Sequence, residues 1–234
     1  HSHTDASDGR LSIEGLAEHA KQRGLKVLGI TDHSVSQTIA NGLDADRLRR
    51  HAEAVREANE RIAGIELLAG TEVDILPDGS LDYGDEVLAE LDLVVASPHA
   101  ALRQDPQTAT DRLLRAIAHP AVHILGHPTG RLIGKREGLS PDIEALVEAA
   151  AEHDVALELN ANWRRLDLRD SHLRLAMARG CKIAIDTDAH KEADFDLLSY
   201  GILTARRAGV TKSACINCWT PRKLRSWLAK KTSA

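Results

Sequence analysis

Aromatic side chains are scarce in this chain, at 3% of 234 residues. So little aromatic surface argues against a base-stacking platform of the kind that lines single-strand-binding grooves. Cysteine is rarer still. Three of them, at 181, 215 and 218, cannot build a disulfide scaffold and suit a reducing, cytoplasmic compartment. Cys215-Ile-Asn-Cys218 has C-x-x-C spacing, but neither a thioredoxin-like context nor a second Cys/His pair accompanies it. Small half-buried residues near a last strand are therefore the expectation, with a redox or zinc role as the alternative. No apolar run approaches the roughly 20 residues of a membrane helix, so no membrane partner is expected. Charge of one sign is not in excess either. A net charge of -5 with 28% charged residues does not announce a nucleic-acid binder. G-x-S-x-G, a phosphate-binding Gly-rich loop with Lys, and a dinucleotide fingerprint are all missing. The chain opens on His1-Ser-His3 with no initiator Met and no signal-peptide pattern. That start predicts a processed chain or, preferably, a domain cut from a longer one.

What is present is a repeated event. An apolar, β-branched stretch ends, and a metal-type ligand follows at once. Ile183 to Ile185 leads into Asp186-Thr-Asp188-Ala-His190, and Val27 to Ile30 leads into Thr31-Asp32-His33. Leu67 to Gly70 precedes Glu72, Leu93 to Ala96 precedes Ser97-Pro98-His99, and Val122 to Leu125 precedes Gly126-His127. One such junction is weak evidence. A series of them predicts one metal centre at the mouth of a barrel.

The rest of the chain alternates accordingly. Strands are expected at 27–30, 65–69, 92–96, 122–125, 155–159 and 182–186, with a short one near 213–216. Ser12 caps a helix ending near Gly24. Asp44 starts a helix to about Ala63, with Leu48, Ala52, Val55, Ala58 and Ile62 on one face. Further helices are read near 85–90, at 108–118, at 141–152 opening on Pro141, at 169–179 and at 194–208, with a basic terminal helix from Pro221. Alternation with short connections implies parallel strands and helical crossovers. About seven strands favour an α/β fold built as a distorted (β/α)7 barrel, TIM-barrel-like, over an open doubly wound sheet. Its functional residues would gather at the C-terminal rim. No repeat, low-complexity segment or linker divides residues 1–234, so a single domain is expected.

The rim candidates are His1, His3, Asp8, His33, Glu72, His99, His127, Asp188 and His190. Imidazole with carboxylate suits zinc, manganese or iron, and the lack of Cys argues against a sulfur-held structural zinc. Nine donors exceed one ion and suit two or three that share a bridging carboxylate. Three divalent ions against the carboxylates Asp8, Glu72 and Asp188 leave the pocket positive, which attracts a phosphate. A bound metal lowers the pKa of water from 15.7 towards roughly 7, so hydroxide can serve as nucleophile at neutral pH. His123, inside its strand, is read as structural. His19, His51, His119, His153 and His172 are read as solvated helix residues. Asp32 and Asp74 are either partners that orient ligating histidines or plain turn carboxylates. Arg131, Lys135, Arg136, Arg164 and Arg165, in rim loops, either hold a phosphodiester backbone or are solvated charge. For Arg222, Lys223, Arg225, Lys230 and Lys231 a solvated helix face is the expectation.

Together His1-x-His3, Ser7-Asp8-Gly9, Thr31-Asp32-His33, Gly70-Thr-Glu72-Val-Asp74, the His99 junction, Gly126-His127-Pro128 and Asp186-Thr-Asp188-Ala-His190 resemble the polymerase and histidinol phosphatase (PHP) family. The resemblance implies a distorted (β/α)7 barrel, a trinuclear metal centre and phosphoester hydrolysis. It implies that His1, His3, Glu72 and Asp188 hold one metal. Glu72 would bridge to a second, also held by His99 and His127, and Asp8, His33 and His190 would hold a third. Leu125 to Leu132, Leu157-Glu-Leu-Asn-Ala-Asn162, and Ile216-Asn217 with the terminal helix are similar to the C-terminal PHP domain of bacterial family X DNA polymerases. That narrower likeness implies a manganese-dependent 3′→5′ exonuclease acting on DNA 3′ ends, with polymerase domains in the same chain. Substrate contacts would fall to Arg131, Lys135, Arg136 and Arg164. A free-standing phosphatase for a small phosphomonoester such as histidinol phosphate, or a catalytically weak structural module, are the alternatives. The sequence departs from the pattern at Pro98-His99-Ala100, where Val before the His and Ser after it are expected.

Overall fold

Six parallel strands, each followed by helix or loop, make one sheet in the order β1-β2-β3-β4-β5-β6 in the computed structural model, which describes residues 1–231. The strands are β1 (Val27–Ile30), β2 (Glu66–Asp74), β3 (Leu93–Ser97), β4 (Ile124–Leu125), β5 (Ala156–Asn160) and β6 (Lys182–Asp186). The helices are α1 (Ile13–Gln22), α2 (Ala45–Arg61), α3 (Asp85–Leu88), α4 (Pro106–Ile117), α5 (Ile143–Glu152), α6 (Asp170–Ala178), α7 (Leu198–Ala208) and α8 (Pro221–Lys231). Helix starts follow their caps. Ser12, Asp44, Asp105 and Asp142 each accept a backbone N–H of the first turn.

The sheet curls, and the N-terminal segment bridges the gap between β1 and β6. Ser2 pairs in parallel with Ala189, His3 N donates to Ala189 O at 2.8 Å, and Thr31 N donates to Ser2 O at 2.8 Å. This segment takes the remaining place in the expected barrel. Residues 213–216 do not supply a full strand. They make a single parallel bridge, Ile183 to Cys215, and turn into a 3-10 helix over Ile216–Cys218. Three other boundaries differ from expectation. β2 runs on through Glu72 to Asp74, because its polar end pairs with β3 as regularly as its apolar start pairs with β1. Pro141 precedes the cap at Asp142 rather than opening α5. The 194–208 helix begins as a 3-10 turn over Glu192–Leu197.

Strand alternation divides the interior in two. Leu67, Ala69, Val94, Ala96, Leu157, Leu159, Ile183 and Ile185 join the core between sheet and helices. Their neighbours Leu68, Leu93, Val95, Ile124, Ala156 and Ala184 point inside the curl and pack on Ile216, Trp227 and Leu228. α8 therefore plugs the end of the barrel opposite the rim. Its charges Arg222, Lys223, Arg225 and Lys230 stay exposed. Along the same inner faces the strands turn polar towards the rim: β2 continues to Glu72 and Asp74, and β5 to Glu158 and Asn160. All three cysteines are free, Cys181 and Cys215 buried and Cys218 exposed. Among the described residues no helix is long and apolar enough to cross a membrane.

Trp227 is 5% exposed. Trp227→Ala is expected to cost about 3–5 kcal/mol of folding stability, read as a lowered denaturant midpoint. An unchanged midpoint would show that α8 is not a structural plug.

Candidate metal centre

The first nine residues form a turn that the buried Asp32 holds from beneath. Asp32 accepts from Thr4 N (2.9 Å), Thr4 Oγ1 (2.9 Å) and Ser7 Oγ (2.5 Å), and meets His51 Nε2 at 2.8 Å. Burial alone would raise its carboxyl pKa. The bond and charge of His51 outweigh that and hold it well below the usual carboxylate range. His51, expected as a solvated helix residue, is thus half-buried and paired, because α2 lies directly against this turn. Gly9 closes the turn, and a Cβ there would collide with the His3 carbonyl. The result aims His1, His3 and Asp8 at the rim.

There they surround Glu72, which is 0% exposed. Its Oε1 faces His1 Nε2 (3.3 Å), His99 Nε2 (3.4 Å) and His127 Nε2 (3.5 Å). Its Oε2 faces His33 Nδ1 (2.9 Å) and His3 Nε2 (3.6 Å). Asp188 Oδ1 lies 3.0 Å from His3 Nε2 and 3.5 Å from His1 Nε2. Asp8 Oδ1 lies 3.2 Å from His190 Nε2 and 3.6 Å from His33 Nε2. All nine expected donors therefore converge on one site. Asp188 sits in the left-handed backbone region at φ 55°, a conformation that costs a non-glycine residue about 1–3 kcal/mol and is held here by the pairing of Ala189 with the N-terminal segment.

Carboxylates behind the ring fix three imidazoles. Glu158 contacts His1 Nδ1 at 2.6 Å and His127 Nδ1 at 3.1 Å, and accepts from His127 N at 2.5 Å. Asp74 contacts His99 Nδ1 at 2.6 Å. A carboxylate on Nδ1 places the proton there and leaves the Nε2 lone pair for a metal. Of the two readings the sequence leaves open for Asp74, orienting partner or turn carboxylate, the contact with His99 is the first. Glu158 is a residue that the sequence reading misses, and its signal is a carboxylate in the apolar run Val155-Ala-Leu-Glu-Leu. Pro98 does not displace His99. Buried Arg112 holds the following loop by donating to Ala100 O (2.9 Å) and to Ile75 O. Gly126 lets His127 approach, since a Cβ would strike Ser97.

The donors fit metal ions. Four groups have ligand atoms within 4.8 Å of one another: His3, Asp8, His33 and His190; His1, His3, Glu72 and Asp188; His1, His127 and Glu158; and His33, Glu72 and His99. Both Glu72 oxygens, Asp188 Oδ1, His1 Nε2 and both ring nitrogens of His3 are buried without a hydrogen-bond partner. Without cations, protons do their work. Burial opposes protonation of His1, but Glu72, Glu158 and Asp188 hold its pKa well above the ordinary value. In the same way, against burial, Glu72 and Asp74 push His99 up to about 10. Asp8 and Asp188 push His190 up to about 9. Burial, with His33 nearby, takes His3 down to about 4.

The expected phosphate contacts behave differently from one another. Arg131 donates to Arg165 O at 2.8 Å and to Leu166 O. Arg136 donates to Gly130 O at 2.9 and 2.7 Å. Arg131 ties the loop after β4 to the loop after β5, and Arg136 braces the loop after β4 from within. Lys135 and Arg164 are exposed. With Arg131, Arg136 and Arg169, Lys135 lines an open groove of about 660 Å³. The remaining histidines form no part of the site. His123 is buried against Val94 N and Leu228 O, and His119 pairs with Asp85.

Two outcomes are expected. His99 and His190 are protonated in the metal-free protein at about pH 7, whereas ligating imidazoles must be neutral, so metal uptake releases protons and affinity rises with pH. Calorimetric uptake heats that do not change with buffer ionisation enthalpy would contradict this. Glu158→Gln should weaken metal affinity by about 10–100-fold in a chelator competition. Wild-type affinity would remove Glu158 from the site.

Comparison with known proteins accords with this geometry. The PHP domain model matches residues 1–162. The chain is 41% identical over 230 residues, 98% of its length, to the DNA polymerase/3′-5′ exonuclease PolX of Bacillus subtilis (strain 168), and spans only 40% of that protein. It is 31% identical over 202 residues to the probable phosphatase YcdX of Escherichia coli (strain K12 / DH10B), covering 81% of this chain and 77% of that one. Among solved structures it is similar to histidinol phosphate phosphatase from Lactococcus lactis subsp. lactis Il1403, complexed with zinc, L-histidinol and phosphate. That likeness has a TM-score of 0.62 and 15% identity over 90% of this chain and 93% of that one, and speaks for the fold. With its donors gathered on the rim of a curled parallel sheet, the chain belongs to the PHP domain family of metal-dependent phosphoesterases.

Proposed function

We propose that this chain hydrolyses phosphodiesters at DNA 3′ ends, as the 3′→5′ exonuclease part of a family X repair polymerase. The observation that carries this reading is the identity along almost the whole chain to a protein named as a polymerase and 3′-5′ exonuclease. The DNA 3′ end is the proposed substrate, and polymerase domains of a longer chain are the proposed partners.

In this reading His1, His3, Glu72 and Asp188 hold one ion. Glu72, His99 and His127 hold a second, and Asp8, His33 and His190 a third. Manganese is the proposed metal, with zinc or iron as alternatives. Such ions supply Lewis acidity towards phosphoryl oxygens and lower the pKa of water. The chain's own residues supply position and charge. Buried Glu72 is ionised even before metal uptake, because the charge on the His1 and His99 rings outweighs its burial, so no proton has to leave it when an ion arrives. Glu158 and Asp74 keep three imidazoles from rotating. Asp8 and His190, with side chains 36% and 31% exposed, stand at the mouth where substrate arrives. Exposed Lys135 and Arg164 attract the phosphodiester backbone, on loops that Arg131 and Arg136 brace.

A second reading, hydrolysis of a small phosphomonoester, is favoured by one observation: the phosphatase relatives match over most of their own length, 94% for the probable phosphatase of Thermoanaerobacter sp. (strain X514) at 29% identity. A module without catalysis is disfavoured, since no donor is missing.

The test is manganese-loaded protein on a 5′-labelled primer-template, beside histidinol phosphate, with Glu72→Ala and His190→Ala controls. Stepwise shortening from the 3′ end, abolished in Glu72→Ala, is expected. Phosphate release from the small ester with intact DNA would replace the exonuclease reading with the second one. Full activity in metal-replete Glu72→Ala would refute the bridging role.

A further inference from the structure

We propose that Trp163 forms a base-stacking subsite that takes the unpaired nucleobase of the terminal nucleotide. The proposal rests on the exonuclease reading and gives it a residue that recognises the base rather than the phosphate.

Large apolar side chains that remain exposed are few among the described residues, and half of them lie in loops that leave the C-terminal ends of strands, the side that carries the metal centre. Val35 and Ile39 follow β1, Ile133 follows β4, and Trp163 follows β5, whereas the others, Leu175, Tyr200, Ile202 and Leu203, lie on α6 and α7. Trp163 is 52% exposed and Ile133 53%. A large indole left in water on an enzyme's rim does nothing for the core. The other two tryptophans pack on each other at the opposite end, with ring centroids 5.9 Å apart.

The loop that carries Trp163 is firmly built. Arg165 N and Leu166 N donate to Asn162 O at 2.7 and 2.9 Å, and Arg164 N donates to Asn162 Oδ1 at 3.1 Å. Ile133 N donates to Arg164 O at 2.7 Å, which ties the β4 and β5 loops together, and Arg131 rivets them from the side. Trp163 stands three residues beyond Asn160, whose Nδ2 donates to Asp188 Oδ2 at 3.3 Å. The indole is thus carried on a hydrogen-bonded loop that leaves β5 three residues past a side chain in contact with Asp188. The Arg164 guanidinium carbon lies 5.1 Å from the ring centroid, which covers one face and brings a cation next to it. An incoming base meets the remaining exposed surface, while Arg164 and Lys135 take its phosphates. The scarcity of aromatics excludes a long stacking track, but one ring is enough for one terminal base.

The experiment compares two 5′-labelled oligonucleotides that differ only at the 3′ terminus, one ending in a normal nucleotide and one in an abasic residue. The readout is the ratio of kcat/KM for the two ends in wild type, Trp163→Ala and Trp163→Phe. Trp163→Ala is expected to lower the preference for the base-bearing end roughly tenfold, and Trp163→Phe to restore most of it. In the metal-loaded protein, an oligonucleotide with a base-bearing 3′ end joined through a cleavage-resistant phosphorothioate should quench tryptophan emission in the wild type and much less in Trp163→Phe. An unchanged ratio in Trp163→Ala, an equal loss on both ends, or no quenching would each overturn the subsite while leaving the exonuclease reading intact. A wild type that cuts neither oligonucleotide yet hydrolyses a small phosphoester would overturn both.

Discussion

A carboxylate sealed from water organises this protein. Ionised and alone, Glu72 would cost several kcal/mol to bury, so the fold must bring positive charge to it. Five imidazoles face it, three at one oxygen and two at the other, and of these His1 and His99, whose pKa values are raised, bring the charge in the metal-free protein. The five come from the N-terminal segment and from the ends of β1, β3 and β4. None can be placed unless the sheet is curled and its neighbours are in register. The polar end of β2 is regular strand for the same reason: a carboxylate at the centre of a ring must be held by main-chain pairing on both sides, to His33 and to Val95.

The carboxylates behind the ring add the next layer of constraint. Glu158 serves His1 and His127 at once, which couples the N-terminal segment to β4 through β5. Asp32 serves no ligand directly. It builds the turn from which three ligands project, and its partner His51 comes from α2. Orientation of the site is therefore spread over elements that contribute no donor of their own. Metal binding and folding draw on the same contacts.

Six of the nine candidate donors, His33, Glu72, His99, His127, Asp188 and His190, were legible in the sequence because each comes at or just past the end of an apolar strand run, where a charged or imidazole side chain has no packing reason to be; His1, His3 and Asp8 follow no strand and were legible only through the His-x-His and Ser-Asp-Gly motifs. Alternation of strands and helices gave the fold class. What stayed hidden has physical causes. Periodicity marks two faces of a strand without saying which is inside, so Glu158 looked like an isolated polar residue until β5 was placed. Residues 70–74 are polar enough to read as loop, although their hydrogen bonds make them strand. His51 looked solvated because helix position alone does not tell which neighbour covers it. Charge in a loop likewise does not say where a guanidinium finds its acceptors. Arg131 and Arg136 spend theirs on main-chain carbonyls.

The helix that closes the far end of the barrel has a consequence for traffic. Trp227 and Leu228 pack among the inner-face side chains, so among the described residues hydrocarbon closes that side. The site is therefore approached from the rim. On the proposed exonuclease reading, substrate and both products would share that side, and a cleaved end still attached to a longer strand would already stand there. It would need only to advance by one unit, whereas a small detached product would have to diffuse out the way it came.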